Sequence, residues 1–154
     1  MSALGAGVRN SIALCLAFPL LVATAFAAEP LPADKDSAGL ARDSVIRIVQ
    51  QVQRADYEGD RASLNALYEQ LLPFVDEPEI ASRVRYWRGF AKWRRGVSGF
   101  NETPTPPDLA DDLTAGESEF YAAIQRDPGF VDAKVGAASC VGTRLFLEKI
   151  FASL

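Results

Sequence analysis

Residues 76–96 read DEPEIASRVRYWRGFAKWRRG. This stretch holds both tryptophans and six of the sixteen basic residues, with no acid between Arg83 and Arg95. At about 100° per residue it splits into two sides. Tyr86, Trp87, Phe90, Ala91, Trp93 and Val97 fall on one broad side, and Arg85, Arg88, Lys92 and Arg95 form a narrow stripe on another. The spacing predicts one helix with an aromatic face to bury and a four-cation face to present. Asp76, with Glu79 three residues on and Pro78 between them, predicts a capping box at its start, and Gly96 and Gly99 its end.

Upstream, Ala41, Val45, Ile48, Val49, Val52 and Ala55 make the apolar stripe of a first helix starting near Ser37. The run Asp56-Tyr57-Glu58-Gly59-Asp60 ends it, and Asp60 is placed to cap a second helix from Arg61. That helix carries Leu64, Leu67, Tyr68, Leu71 and Leu72, and Pro73 marks its end. Downstream, the segment 97–107, VSGFNETPTPP, reads as a long irregular connection. It contains the sequon Asn101-Glu102-Thr103, which Pro104 disfavours as a glycosylation site. A fourth helix opens at Thr105-Pro106-Pro107-Asp108 with Leu109, Leu113, Gly116, Phe120, Ala123 and Ile124 on one stripe. Asp127-Pro128-Gly129 breaks it, and a fifth runs from Val131 with no stop signal before Leu154. No segment reads as a strand. The expectation is an all-α chain of about five helices after its leader, with short links that favour stacked antiparallel hairpins.

The leader is residues 1–27. Arg9 supplies a positive start, residues 11–28 are apolar, and Ala25-Phe26-Ala27 is a small-x-small cleavage site. These features predict a signal peptide, an exported mature chain beginning at Ala28, and a disordered lead-in over 28–36. Without cleavage the same segment would be a membrane anchor. Leu14 before Cys15 departs from a lipoprotein signal, which wants a small residue there. Cleavage leaves Cys140 alone, so the mature chain forms no internal disulfide, and its apolar neighbours mark it as a buried thiol. The helical domain is placed at 37–154. Its apolar end, LFLEKIFASL, is expected to self-associate or to need further sequence.

The formal charge of −4 argues against nucleic acid as a general partner, and the chain has no histidine. Without one, serine, cysteine and lysine nucleophiles lack their usual activator, so an enzyme is the weakest class. Asp111-Asp112 with Glu117 and Glu119 has no metal-loop spacing, and acids early in a helix suit its dipole. No cofactor or metal site is expected.

Gly116, Phe120, Ala123 and Pro128, followed by DPGFVDAKVGAAS, stand at spacings that resemble the tetratricopeptide repeat. Aligning the third helix by its aromatics puts Trp87, Phe90 and Ala91 at that family's bulky, large apolar and small sites. Arg94 departs from the pattern, as do Lys134 and the insertion at 97–107. The resemblance covers roughly residues 80–145. It implies a helical superhelix whose concave face would be lined by Arg85, Arg88, Lys92 and Arg95, gripping a carboxylate or acidic peptide. The competing reading pairs those cations with Asp108, Asp111, Asp112, Glu117 and Glu119 of the fourth helix. Two functions follow: an exported interaction module with a basic peptide groove, or an assembly piece that docks on a larger partner.

Overall fold

The computed structural model describes residues 34–152. The expected signal peptide with its cleavage site, Cys15 and the lead-in before residue 34 lie outside the described residues. Five α-helices and two short 3-10 turns make up the described chain, with no strand among those residues. They are α1 (Asp34–Glu58), α2 (Arg61–Gln70), α3 (Ala81–Ser98), α4 (Leu109–Arg126) and α5 (Val131–Ala152). The 3-10 turns are Leu72–Phe74 and Gly99–Asn101.

Several boundaries depart from expectation. Helix α1 starts three residues inside the stretch expected to be disordered, because nothing between Pro32 and Ser37 interrupts a helix. Helix α3 begins at Ala81, five residues after Asp76. Its N-cap is Ile80, with no side-chain cap bond, so the capping box does not form. Residues 76–80 are turn, and Asp76 bonds instead to Arg126 at the end of α4 (2.6 Å). Helix α4 begins at Leu109, four residues after Thr105, with Asp108 as an N-cap that makes no side-chain cap bond, and Gly96 lies inside α3, which ends at Ser98 with Gly99 as C-cap. The signals at the turn from α1 to α2 hold. The Asp60 carboxylate accepts from the Ser63 N–H at the start of α2 (3.0 Å). Gly59, at φ +70, supplies the left-handed residue that lets α1 turn into α2 across two residues.

Helix α3 is the hub, in contact with α1, α2, α4 and α5. Its run against α4 is antiparallel: Gly96 lies beside Leu109 and Asp112, and Gly89 beside Gly116 and Phe120. The backbones come close at that second crossing. A Cβ added to Gly89 would lie 3.0 Å from the Gly116 carbonyl, and one on Gly116 3.2 Å from the Trp93 nitrogen. Helix α5 returns antiparallel to α4, with Gly116 near Cys140 and Phe120 near Gly136. Phe120 is fully buried, its ring between Gly89 of α3 and Gly136 of α5.

The core has two lobes on either side of α3. Leu109, Leu113, Phe120, Ala123, Phe130, Ala133, Ala137 and Cys140 fill the α4/α5 side. Val45, Val52, Ala55, Leu64, Leu67, Leu71, Val75 and Val84 fill the α1/α2 side. The aromatics of α3 join the lobes. Tyr86 reaches Phe120 and Phe130, Trp87 packs edge-on to Phe90, and Phe90 touches both lobes. Burial of these rings is the main stabilisation of α3, at about 25 cal/mol per Å² of apolar surface removed from water.

Candidate functional site

The stripe of four cations forms on α3 as its spacing requires, but α4 lies against it. Two carboxylates of α4, Asp112 and Glu119, sit seven residues apart and face the stripe with exposures of 1% and 6%. Arg88 donates through Nε to Glu119 Oε1 (2.8 Å) and Arg85 through Nη1 to Glu119 Oε2 (2.9 Å). Lys92 reaches Asp112 at 3.4 Å, and Arg95 meets the same carboxylate at 2.6 Å. Arg95 also bonds Asp108, the residue before α4.

Helix α2 supplies the other wall. Tyr68 lies under the stripe, with the Arg88 guanidinium 3.7 Å and the Lys92 ammonium 4.7 Å from its ring centre. The Tyr68 carbonyl accepts from Arg88 Nη1 (2.5 Å), and the Tyr68 hydroxyl donates to Glu119 (3.3 Å). Asn65 accepts from Lys92 at 2.8 Å. Arg61 closes the end, donating to the Arg95 carbonyl (3.0 Å), Glu102 (2.6 Å) and Asp108 (2.6 Å). Five cations thus meet four carboxylates in one ladder between α2, α3, α4 and the 99–108 connection.

The electrostatics follow from that crowding. Burial works against the charge on Arg61, but its bonds to Asp108 and Glu102 outweigh this and hold its pKa above the ordinary value. Burial likewise opposes ionisation of Asp108, and the Arg61 bond, with Arg95 behind it, keeps that carboxyl below its usual range. Burial raises the Tyr68 phenol. Burial also pushes the Cys140 thiol up to about 12, in keeping with its place in the core.

The structure therefore corrects one expectation directly. The four-cation face predicted for α3 is not open at Arg88, which is 3% exposed; the small truncation cost of an open-face side chain, well under about 1 kcal/mol, therefore does not apply to it. The periodicity gave the right side of the helix, but α3 has neighbours on both flanks and no wide solvent side. Arg85, Lys92 and Arg95 are part-buried in the same ladder. Of the acids named as possible partners, Asp108, Asp112 and Glu119 take that role. Glu117 pairs with Arg144 of α5 instead, and Asp111 is exposed. Arg94, the residue that breaks the aromatic pattern, pairs with Asp56 at the end of α1 and lies over the Trp93 ring.

Sequence reasoning missed Arg61 and Tyr68 as members of this site. Asp112 and Glu119 stand among the five acids of the competing reading, which did not single them out from Asp111 and Glu117. The signal for the acids was present: both lie within four residues of Gly116, on the flank of the α4 apolar stripe. The Nε atoms of Arg85 and Nε1 of Trp93 find no acceptor among the described residues.

Two further surfaces stand out. A groove of about 690 Å³ runs between the Pro104–Pro107 segment, Leu109 and Leu113 of α4, and Arg144 and Leu147 of α5. The outer face of α5 exposes Val131, Val135, Leu145 and Phe146. Among the described residues, no three His, Cys, Asp or Glu side chains are placed to hold a metal ion, and no helix is long and apolar enough to cross a membrane. Comparison with protein-family models, with curated proteins and with solved structures yields no match.

Proposed function

We propose that the protein is an exported helical scaffold, built of stacked hairpins like those of the tetratricopeptide repeat, that docks on a partner through apolar surface rather than through a basic peptide groove. The observation that supports this is the state of the stripe. Each of its four cations is engaged by a carboxylate of α4 or of the turn before it. A carboxylate ligand would have to displace Asp112 or Glu119 from a buried position and leave that acid unpaired, which costs more than a surface contact returns.

The apolar surface, by contrast, is available. Val131, Val135, Leu145 and Phe146 are each more than half exposed on α5, and apolar side chains gathered on one helix are candidates for an interaction surface. The acidic-peptide reading keeps one observation on its side. The ladder holds one more cation than carboxylates, and Arg85 and Arg95 keep 24% and 21% of their side-chain surface.

Capture from the exported fraction with two variants decides between them. Phe146→Glu should abolish capture with helical content unchanged, and Arg85→Glu should leave capture no weaker than its loss of stability explains. Capture that survives Phe146→Glu but is lost in a folded Arg85→Glu would reinstate the basic groove.

A further inference from the structure

The outer face of α5 has a finer pattern than exposure alone conveys. Val131, Val135, Ala138, Gly142, Leu145 and Lys149 are separated by four, three, four, three and four residues, the seam spacing of a two-helix coiled coil. All six are exposed. The buried residues of α5, Ala133, Gly136, Ala137 and Cys140, lie on the opposite side against α4. The seam is thus unpartnered among the described residues, and it runs for about five turns of helix.

We infer that this seam pairs with the same seam of a second copy of the chain, antiparallel, about a two-fold axis at the level of Cys140. The inference rests on the scaffold reading and names its partner. Charge complementarity selects the occupant and the direction. The seam has Asp132 beside its first position and Lys149 at its last, both exposed. Antiparallel pairing sets Asp132 of each copy next to Lys149 of the other, twice by symmetry. Parallel pairing sets Asp132 against Asp132 and Lys149 against Lys149. The helix dipoles favour the antiparallel choice as well.

Side-chain size agrees with that arrangement. Val135 meets Leu145 of the other copy, and Ala138 meets Gly142. A Cβ placed on Gly142 has nothing within 4 Å in one copy, so the gap is outside the fold rather than inside it. The small pair at the centre lets the two helices approach closely, while Val135 and Leu145 pack on either side of it. Phe146, 63% exposed, flanks the seam and adds apolar area.

Sedimentation equilibrium of the full-length chain tests this, with circular dichroism and thermal melting run on every variant. The expected result is a dimer. Asp132→Lys should weaken it by roughly tenfold, and so should Lys149→Asp, because each replaces two attractions by two repulsions. The double variant Asp132→Lys/Lys149→Asp should restore it, which a general loss of stability could not produce. Gly142→Trp should give a folded monomer. A wild-type monomer at high micromolar concentration overturns the inference, and if Phe146→Glu still abolishes capture, the scaffold reading stands with a different chain as occupant. A dimer indifferent to Gly142→Trp, or a charge swap that fails to rescue, equally overturns it.

Discussion

Replacing Arg88 by alanine is expected to cost about 3 kcal/mol of stability, near the lower end of the range for breaking a buried ion pair by removing one member. The figure is built from three losses. Arg88 is 3% exposed and donates to Glu119 at 2.8 Å, so its removal leaves a buried carboxylate with reduced compensation. It donates to the Tyr68 carbonyl at 2.5 Å, and that acceptor loses its partner at about 1–3 kcal/mol. It also lies over the Tyr68 ring at 3.7 Å, a contact of about 0.5–2 kcal/mol. The total is held down because Arg85 still bonds Glu119 at 2.9 Å and the Tyr68 hydroxyl still donates to it. Urea unfolding followed by circular dichroism gives the cost from the midpoint at constant slope. Arg88→Met with Glu119→Leu should recover most of it, since apolar residues of similar volume often replace buried pairs without loss. A cost for Arg88→Ala below about 1 kcal/mol, as for an exposed side chain, would refute the ladder as described.

Phe120→Ala should cost about 3–5 kcal/mol by chemical denaturation, because the ring is fully buried between two helices that cannot close the gap. Gly136→Ala should destabilise, its new Cβ falling 2.4 Å from the Phe120 ring, whereas Gly39→Ala in open helix should stabilise by about 0.5–1 kcal/mol; thermal melting of the pair gives the two signs. Cys140, with its thiol at about 12, should resist alkylation at pH 8 until denaturant is added, read by peptide mass spectrometry. Asp108 has a folded pKa below its ordinary value, so its contribution is present above about pH 4 and is lost as pH falls through the folded value; an acid titration of Asp108→Asn should show a shallower loss than wild type.

Much of the fold could be read from local chemistry. The stripes of α1, α2 and α4, the Asp60 cap and the Asp127-Pro128-Gly129 break all lie within a few residues of the structure they specify. The start of α3 was less legible because Asp76 and Glu79 match a capping box, yet the Asp76 carboxylate pairs with Arg126, fifty residues away. The site shows the same division. The 3.6-residue period places Arg85, Arg88, Lys92 and Arg95 on one side of α3 but carries no information about what covers that side. The answer lies in Asp112, Glu119 and Tyr68, which come together only when α2 and α4 pack.

The ladder also bears on how α3 and α4 find their alignment. Ten residues separate Ser98 from Leu109, too many to dictate how far one helix slides along the other. Apolar faces tolerate sliding, except where the backbones approach closely at Gly89 and Gly116. The charges do not. On α3 the cations form two close pairs seven residues apart, and on α4 the two acids are also seven apart, so the teeth mesh in full at a single offset. A slip of one turn, about 5.4 Å, would carry one of the two carboxylates to the end of the stripe, beside one cation instead of two. The ion pairs act as a vernier, setting the axial position of α4 and hence of every α5 residue that follows it. The length of the connecting segment can then change without moving the outer face of the molecule.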